Sequence, residues 1–581
     1  MRRCHPTFAL IALATACGSD PGAPDTALIV ALQAGDAQTD TVGQPLAFYA
    51  VRVIDTGGVP VAGVVVTWSV TSGGGGITPA STTDAAGIAL AVRTLGTTAG
   101  IQTARATVGG AAGSPVPFTA TAVADAPAAL TKVSGDAQTG NAGEQLGAAY
   151  VVRVRDQFDN PVAGATVQWS ATAGALTAPT SLTAADGTAE SRHTLGGTPG
   201  PQEVTATVSG LPPVTFTAIA YLTPPLVATV PVPSNYGLHD TFVRDGIAFL
   251  SAWNTGVQLY DVGNGIKGGS PASPQLISTV VTAASGLGGA RAHNAWWFHN
   301  PTNGQKRYLF VGQEGPGSVG SSSSGDIHVV DVSDLNAPAE VALYHLDGAG
   351  THNFWMDEQA QVLFAAYYNG GVVALDVSGT LTGTLASRER ARIQPGGAAN
   401  TYTWGVQHAG GSVYAVDMES GFWQLNFTGS AFTVAGGGNN VPERWGSDLW
   451  VHGTHAYTGT WGGLTRNGNA GNAVKIWRLD AGGSPTLVDS LIVPGIGTVS
   501  DVEVSSDGKL LVFSAEGSTS PGVYVYSLAD PEKPARLGSY PVSTGVHTAS
   551  LAEIGGSRYV FAARNPSNPA LLILDITAFA N

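Results

Sequence analysis

The chain has 581 residues and a formal net charge of −15, and it contains 78 glycines, 34 prolines and only 12% charged residues. This composition excludes long charged helices and favours an all-β protein of several domains with many turns. The acidic balance argues against nucleic-acid binding, because contacts with phosphate require clustered lysine and arginine side chains.

The first residues have the features of an export signal. Arg2 and Arg3 precede an apolar run, Phe8–Ala14, that is too short to span a bilayer. We therefore expect residues 1–17 to be a signal peptide and residues 18–25 to be a flexible tether.

The end of this signal, Leu13–Cys17 (LATAC), resembles the lipobox of bacterial lipoproteins. Leu13 lies one position further from Cys17 than in the usual pattern. The resemblance implies that Cys17 becomes a lipidated N-terminus, and Gly18 at the next position favours the outer membrane. The alternative is an ordinary signal peptide cut near Ala16. We expect an exported protein that a lipid anchors to the bacterial cell envelope, so that the membrane is one of its partners.

The next two domains are predicted to be tandem repeats of each other, residues 26–123 and residues 124–222. The sequence Gly35–Thr39 (GDAQT) recurs as Gly135–Thr139, and Trp68 recurs as Trp169. Units of about 100 residues with short alternating strands and one buried tryptophan are typical of immunoglobulin-like (Ig-like) sandwiches.

The repeats carry the set V-R-D-x-x-x-N-P-V-A-G-x-x-V-x-W, followed by T-L-G and A-T-V. This set resembles the bacterial Ig-like group 1 domains of invasin and intimin. In that family such domains are stalks that hold a distal domain away from the membrane, and the resemblance implies no catalytic group. Four aspartates are interpreted as turn residues, with calcium binding as the alternative: Asp36, Asp55, Asp156 and Asp159.

Residues 223–581 are predicted to form one domain of repeated short strands. Each repeat has a first strand that opens with a polar pair, then two apolar strands, and in most cases an outer strand after a turn. Seven repeats begin at His239-Asp240, His293-Asn294, His352-Asn353, Trp404-Gly405, Ser447-Asp448, Ser500-Asp501 and His547-Thr548. Seven units of four strands predict a seven-bladed β-propeller.

The two ends of this domain are predicted to share one blade. The last repeat ends at Ile576 without room for an outer strand, and an unassigned strand, Leu226–Val232, precedes the first repeat. Pairing that strand with Leu571–Ile576 completes the last blade and removes two exposed sheet edges. The predicted fold class is therefore all-β, with two tandem Ig-like β-sandwiches followed by a seven-bladed β-propeller that its N-terminal strand closes.

The third strands, such as Ile327–Ser333 (IHVVDVS) and Leu572–Ile576 (LILDI), resemble those of the LVIVD-repeat propellers. The resemblance covers most of residues 226–576 and implies a propeller of a bacterial surface protein, without naming an activity. The fourth repeat departs from the pattern, because Trp404 and Gly405 replace the polar pair and Asn426 replaces the aspartate near the end of the third strand.

The first strand of each blade lines the channel of a propeller, so the polar pairs are expected to gather at one mouth of that channel. The candidate ligand or metal residues are His239, Asp240, His293, Asn294, His352, Asn353, Asp448, Asp501 and His547, together with Glu314 and Glu516 at the ends of second strands. Imidazoles and carboxylates that converge from several blades can hold a divalent metal ion. The alternative is that they hydrogen-bond neighbouring strands, and strand alternation predicts that only one side chain of each pair faces the channel.

The predicted function is that of a cell-surface protein whose Ig-like stalk presents the propeller to a protein, glycan or small ligand. Tryptophans of the propeller are expected to pack between blades, or else to stack on a ligand at the channel mouth. This function requires no cofactor. The candidate for a bound cofactor is a divalent metal ion in the channel. The alternative functions are a metal-dependent hydrolase or lactonase with its site in the channel, and a purely architectural role in the envelope.

Replacing Cys17 with serine is expected to release the protein from membranes, because serine cannot carry the lipid that a lipobox cysteine carries. The measurement is fractionation of expressing bacteria, followed by detection of the protein in membrane and soluble fractions. Cys4→Ser is the matched control and should stay with the membranes. A Cys17→Ser protein that remains in the membrane fraction contradicts the lipid anchor.

Overall fold

The structure is a computed structural model that describes residues 27–234, 236–315, 317, 321–480, 483–564 and 568–580. The predicted signal peptide, the tether and the candidate lipidation site Cys17 lie outside these residues. Apart from two short 3₁₀ turns, Ala386–Arg388 and Thr577–Ala580, the regular structure of the described chain is β-strand. No helix in this part of the chain has the length and apolar character needed to cross a membrane. The chain forms two compact units, one built mainly from residues up to Thr217 and the other mainly from residues after it.

The first Ig-like repeat contains ten strands, in chain order β1 (Leu28–Ala34), β2 (Gln38–Thr41), β3 (Tyr49–Asp55), β4 (Val65–Ser72), β5 (Gly76–Ile77), β6 (Ala80–Thr82), β7 (Ile88–Ala91), β8 (Arg93–Thr94), β9 (Gly100–Thr107) and β10 (Val116–Val123). They form sheets in the orders β1-β3-β7, β2-β10-β9-β4-β6 and β5-β8. Inward and outward side chains alternate along β10, as expected of a strand with one buried face. Tyr49, Trp68 and Phe118 pack in the core between the two larger sheets.

The second repeat contains the equivalent ten strands, β11 (Ala129–Ser134), β12 (Gln138–Asn141), β13 (Tyr150–Arg155), β14 (Thr166–Ala171), β15 (Ala175–Leu176), β16 (Thr180–Leu182), β17 (Thr188–Ser191), β18 (His193–Thr194), β19 (Gly200–Thr207) and β20 (Val214–Tyr221). Their sheet orders repeat those of the first domain: β11-β13-β17, β12-β20-β19-β14-β16 and β15-β18. The buried tryptophans are equivalent as well, since Trp68 Nε1 donates to Ser81 Oγ at 2.9 Å and Trp169 Nε1 donates to Ser181 Oγ at 2.8 Å. The prediction of two Ig-like sandwiches is confirmed.

The remaining strands form seven sheets, which we number as blades in chain order. After β21 (Leu226–Pro231), blade 1 contains β22 (Asp240–Arg244), β23 (Ile247–Ser251), β24 (Val257–Asp261) and β25 (Gln275–Val280), and blade 2 contains β26 (Ala292–Phe298), β27 (Tyr308–Gln313), β28 (Ile327–Asp331) and β29 (Ala339–Tyr344). Around blade 3 lie β30 (Phe354–Asp357), β31 (Val362–Ala366), β32 (Val372–Asp376), β33 (Gly383–Thr384) and β34 (Glu389–Ile393), and blade 4 contains β35 (Thr403–Ala409), β36 (Ser412–Asp417), β37 (Gly421–Phe427) and β38 (Phe432–Gly437). Blade 5 contains β39 (Trp445–His452), β40 (His455–Trp461), β41 (Ala473–Arg478) and β42 (Thr486–Ile492), blade 6 contains β43 (Thr498–Val504), β44 (Leu510–Glu516), β45 (Gly522–Ser527) and β46 (Ala535–Pro541), and blade 7 contains β47 (Val546–Ile554), β48 (Ser557–Arg564) and β49 (Ala570–Asp575). Strands that follow each other within a blade pair antiparallel, and β33 instead pairs parallel with β29 at the edge of blade 2.

Blade 7 is completed by the strand that precedes blade 1. Its order is β21-β49-β48-β47, with Thr229 opposite Leu572 and Val230 opposite Leu571. The backbone N–H of Val232 also donates to the Pro569 carbonyl at 3.0 Å. The predicted closure by the N-terminal strand and the count of seven blades are therefore confirmed.

The core of the propeller lies between the blades. The strands β23 and β31 are buried at every position, because each inner sheet is covered on both faces by its neighbours. At the closing junction, Leu571 and Ile573 of blade 7 pack with Ala248 and Leu250 of blade 1, and all four are fully buried. Continuous burial explains why the second and third strands appear in the sequence as uninterrupted apolar runs.

A disulfide between β21 and β49 tests the closure directly. In the variant Thr229→Cys/Leu572→Cys the two cysteines lie opposite each other, so we expect them to oxidise within one chain and to stabilise the protein by about 2–4 kcal/mol relative to its reduced form. The measurements are mobility on a non-reducing gel and denaturant unfolding with and without reductant. The control, Thr229→Cys/Leu574→Cys, is two residues out of register and should stay reduced. Equal oxidation of both variants would contradict this register.

Candidate metal and ligand site in the propeller channel

The polar pairs reach the channel because a β-bulge opens many of the first strands. The register of β26 shifts between Ala292 and Asn294, and four other first strands, β35, β39, β43 and β47, shift at the corresponding place. A bulge sets two residues against one on the partner strand, which breaks strict alternation. Both His293 and Asn294 line the same cavity, as do both Ser500 and Asp501. The expectation that only one side chain of each pair faces the channel therefore fails for these pairs, whereas only Asp240 of the first pair and only Asp448 of the fifth line the cavity.

Four imidazoles from neighbouring blades pack together at one end of the channel, which we call the histidine mouth: His547, His239, His293 and His352. Their ring centroids are separated in that order by 4.0, 4.3 and 4.1 Å. The four residues come from blades 7, 1, 2 and 3. Trp404 of blade 4 continues the row, with its ring centroid 4.2 Å from that of His352.

Hydrogen bonds fix the tautomers of two of these rings. The Trp404 carbonyl can only accept, so His352 Nδ1 donates to it at 2.8 Å. His547 Nδ1 likewise donates to Glu516 Oε1 at 2.7 Å. When either ring is in its neutral form, the second nitrogen, Nε2, carries the free lone pair, which is the form that coordinates a metal ion.

Several ring nitrogens at the histidine mouth are buried without a hydrogen-bond partner. They are His239 Nδ1, His352 Nε2 and both nitrogens of His293. Buried polar atoms in folded proteins are nearly always paired, so four such atoms in one cluster require an explanation.

Glu314 brings a carboxylate to the same cluster. Its Oε2 lies 3.6 Å from His239 Nε2 and 3.8 Å from His293 Nε2. The Tyr368 hydroxyl donates to its other oxygen, which holds the side chain in place. Glu314 directly follows β27 and Glu516 ends β44, so second strands supply both carboxylates of the histidine mouth.

Potential metal-ligand atoms converge in two overlapping groups. Within the described chain, one group is His239, His293 and His547, and the other is His293, Glu314 and His352. In each group the ligand atoms all lie within 4.8 Å of one another, and His293 belongs to both. A set of imidazole nitrogens with one carboxylate fits a divalent transition metal such as zinc, copper, nickel or iron.

The electrostatics of the histidine mouth favour neutral imidazoles. Burial, followed by repulsion between the rings, lowers the pKa of His239, His293 and His352 well below the usual value. Burial also disfavours the charged form of His547, but the adjacent Glu516 carboxylate outweighs it and raises the pKa of His547. Three of the four rings are thus held in the neutral form that metal binding requires.

Carboxyl groups form a second layer of the channel, which we call the carboxyl wall: Asp240, Asp448, Asp501 and Glu503. These side chains and those of Asn294 and Asn353 line a cavity of about 200 Å³. Burial, followed by repulsion from Asp501, raises the pKa of Asp240 to about 7.

Members of the carboxyl wall also join neighbouring blades. The backbone N–H of Ala549 donates to Asp501 Oδ2 at 2.7 Å, and that of Leu551 donates to Glu503 Oε2 at 2.6 Å. The backbone N–H of Val502 in blade 6 donates to Asp448 Oδ2 at 3.4 Å, whereas Asn353 Nδ2 of blade 3 donates to Asp448 Oδ1 of blade 5 at 2.8 Å and so links two blades that are not adjacent. The alternative role from the sequence, hydrogen bonding between neighbouring strands, therefore applies to these side chains.

Aromatic rings form the third layer, the aromatic arc, which consists of Phe242, Trp296, Trp355 and Trp450. Successive ring centroids are 5.1, 5.3 and 5.6 Å apart. All four rings line the cavity. Trp297, by contrast, is 4% exposed and packs in the core between blades 1 and 2, as predicted for tryptophans that pack between blades.

Glu503 and Tyr368 are not among the residues predicted from the sequence. Counted from the first residue of the polar pair, Glu503 is the fourth residue of its repeat, the position that Phe242, Trp296 and Trp355 occupy in blades 1 to 3. Extending the repeat alignment by two residues beyond the polar pair identifies it. Tyr368 has no such signal, because its contact with Glu314 joins residues 54 positions apart through the packing of two blades.

Comparison with known proteins identifies the second repeat. Residues 130–219 match the family described as bacterial Ig-like domain (group 1). The chain thus contains a domain of this family, together with a propeller that the match does not cover. None of the curated proteins matches the chain.

Solved structures resemble the two parts of the chain separately. The D0-D1 domain of intimin is 22% identical over 33% of this chain and 96% of its own, with a TM-score of 0.16. The WD40 β-propeller domain of Doa1 is 10% identical over 60% of this chain and 96% of its own, with a TM-score of 0.42. A chain of the mitotic checkpoint complex is 13% identical over 61% of this chain and 92% of its own, with a TM-score of 0.44. Similarities of this size carry no argument about function.

Gly405 provides a test of the packing in the carboxyl wall. A Cβ at this position would lie 2.9 Å from Asp448 Oδ1 and 3.1 Å from Val416 Cγ1. We expect Gly405→Ala to lower the free energy of unfolding by about 1–3 kcal/mol, as overpacked cores do, in denaturant unfolding. The control is Gly483→Ala, whose added Cβ would meet its nearest atom at an ordinary 3.5 Å. Equal stability of the two variants would contradict the observed position of Asp448.

Proposed function

We propose that this chain is a bacterial surface protein whose propeller binds a divalent transition-metal ion at the histidine mouth. The observation that carries the proposal is the set of imidazoles from four successive blades, with four buried ring nitrogens that lack a partner. An unpaired buried nitrogen costs folding free energy, and a coordinated metal ion removes that cost. Imidazole nitrogen is a preferred ligand of zinc, copper, nickel and iron.

In this proposal His239, His293, His352 and His547 are the ligands, and Glu314 is placed to be a further ligand. The Trp404 carbonyl and the Glu516 carboxylate orient His352 and His547 through Nδ1, at 2.8 and 2.7 Å. Metal-bound histidines usually donate their second N–H to such an acceptor, which fixes the ring and makes it more basic. Two of the four rings have this support from the protein itself.

The Ig-like repeats support a location at the cell surface. Residues 130–219 belong to a domain type described as bacterial. By the resemblance to invasin and intimin, we propose that the repeats are a stalk and that the propeller is the part offered to a protein, glycan or small ligand. A lipid on Cys17 that anchors the chain to the outer membrane is part of the same proposal.

Metal-dependent hydrolysis is a second candidate function, which the position of Glu314 favours. A carboxylate beside a metal ion can accept the proton of a water molecule that attacks an ester or lactone. Glu314 Oε2 lies within 3.8 Å of two of the proposed ligands, which suits this role. Hydrolysis of p-nitrophenyl acetate that needs metal and is lost in Glu314→Gln supports an enzyme, and its absence in the metal-loaded protein leaves the binding function alone.

Metal analysis of the purified protein tests the proposed function. We expect about one equivalent of transition metal after dialysis against zinc and buffer, measured by plasma mass spectrometry. His293→Ala removes the ring shared by both groups and should reduce the bound metal at least about tenfold. His345→Ala is the control, because this half-exposed histidine pairs with Asp326 and lies outside both groups.

Chelation provides a second readout of the same site. A ligand present at about 100 times its Kd stabilises the native state by about 2.7 kcal/mol, so EDTA should lower the melting temperature of the wild type. EDTA should leave the melting temperature of His293→Ala unchanged. A wild type without bound metal whose melting does not respond to zinc or EDTA would contradict the proposal.

A further inference from the structure

We propose that the cavity between the carboxyl wall and the aromatic arc binds a small organic ammonium ion. The proposal concerns a second site, because none of the carboxyl or aromatic side chains involved is among the proposed metal ligands. It goes beyond the proposed function by naming the chemical class of a ligand that enters the channel.

Carboxyl groups outnumber basic side chains in the lining of the cavity. The lining includes the four carboxyl groups of the wall, and the basic residues among the described lining residues are three histidines, His293, His352 and His547, with no lysine or arginine. Burial, followed by repulsion from Asp501, raises the pKa of Asp448 and Glu503 well above their usual values. Buried carboxylates are stable only when a cation or a proton neutralises them, and a bound cation supplies that charge.

The cavity also offers hydrogen-bond acceptors that the protein leaves unused. Ser500 Oγ belongs to a cavity-lining residue that is 5% exposed, and this atom has no hydrogen-bond partner. Glu503 uses Oε2 to accept the Leu551 N–H, which leaves its other oxygen for a ligand. An ammonium group carries donors and no acceptor, so it complements a site of this kind.

The aromatic arc suits the organic part of such an ion. Rings of tryptophan and phenylalanine offer an apolar surface to a hydrocarbon chain, whereas they offer no lone pair to a metal ion. The arc lines the same cavity as the carboxyl wall, so one molecule can place its charged end at Glu503 and its apolar end against the rings. Within the described chain, metal-type clusters of ligand atoms form only at the histidine mouth, which argues against a second metal ion in the carboxyl wall.

The size of the cavity limits the ligand. Its volume of about 200 Å³ is smaller than the roughly 300–1,000 Å³ of pockets that hold drug-sized molecules. We therefore assign the site to a primary or methylated amine with a short apolar chain.

Calorimetry on the full chain with a charged and a neutral probe of equal size tests the proposal. Butylammonium and 1-butanol are titrated at constant ionic strength, with EDTA present so that the outcome is independent of the metal site. We expect butylammonium to bind at least about tenfold more tightly than 1-butanol, because only the charged probe forms charge-assisted hydrogen bonds with the wall. Equal binding of the two probes, or no binding of butylammonium at about 10 mM, overturns the proposal.

Two substitutions locate the site. Glu503→Gln keeps an oxygen that can accept the Leu551 N–H but removes the charge, so it should weaken butylammonium binding at least about tenfold. Asp489→Asn is the matched control, because Asp489 is exposed on the outer strand β42, and it should bind as the wild type does. If Glu503→Gln does not fold, judged by its melting curve, Asp501→Asn takes its place. Unchanged affinity in the folded wall variant overturns the proposal.

Discussion

The pairing of β21 with β49 is the interaction on which the channel depends. It joins the two ends of the propeller in one sheet and so brings blade 7 beside blade 1. The consequence is visible at the channel, where the Thr548 hydroxyl donates to the His239 carbonyl at 3.3 Å although the two residues are 309 positions apart. Without this closure His547 and His239 would not meet, and the histidine mouth would lose one of its four rings.

The channel combines structural and chemical roles in the same side chains. Asp501 and Glu503 hold blade 7 through backbone N–H groups, and each is also a buried carboxyl group in a cavity whose described lining contains no lysine or arginine. Strand bridging explains why polar residues occupy the first strands. It does not explain the ring nitrogens of His293, which make no hydrogen bond to a neighbouring strand. The binding argument therefore rests on the histidines and on the unpaired acceptors, where the structural role is absent.

Much of the propeller follows from local pattern in the sequence. Apolar runs separated by turn residues mark the strands, and the polar pairs set the count of seven blades. The mouth that gathers His239, His293, His352 and His547 follows from the repeat register alone, because equivalent positions of a propeller lie at one height along its axis. The predicted neighbours Glu314 and Glu516 lie there as well.

The remaining features depend on contacts between blades, which no single repeat encodes. The bulges that bring both residues of several polar pairs to the cavity form where a first strand packs against the first strands of the adjacent blades. The outer strands β34 (ERARI) and β38 (FTVAGG) have weak local signals, since one is charged and the other ends in glycines. The hydrogen bond from the Tyr368 hydroxyl to Glu314 likewise forms only when blades 2 and 3 pack together.

Anomalous X-ray diffraction from crystals of the zinc-loaded protein tests the central claim most directly. The account predicts a zinc peak at the histidine mouth, about 2.0–2.1 Å from nitrogens of His293 and at least two of the other three rings. A map in which zinc is absent from this position, with water molecules hydrogen-bonded to the free nitrogens of His239, His293 and His352, would contradict it.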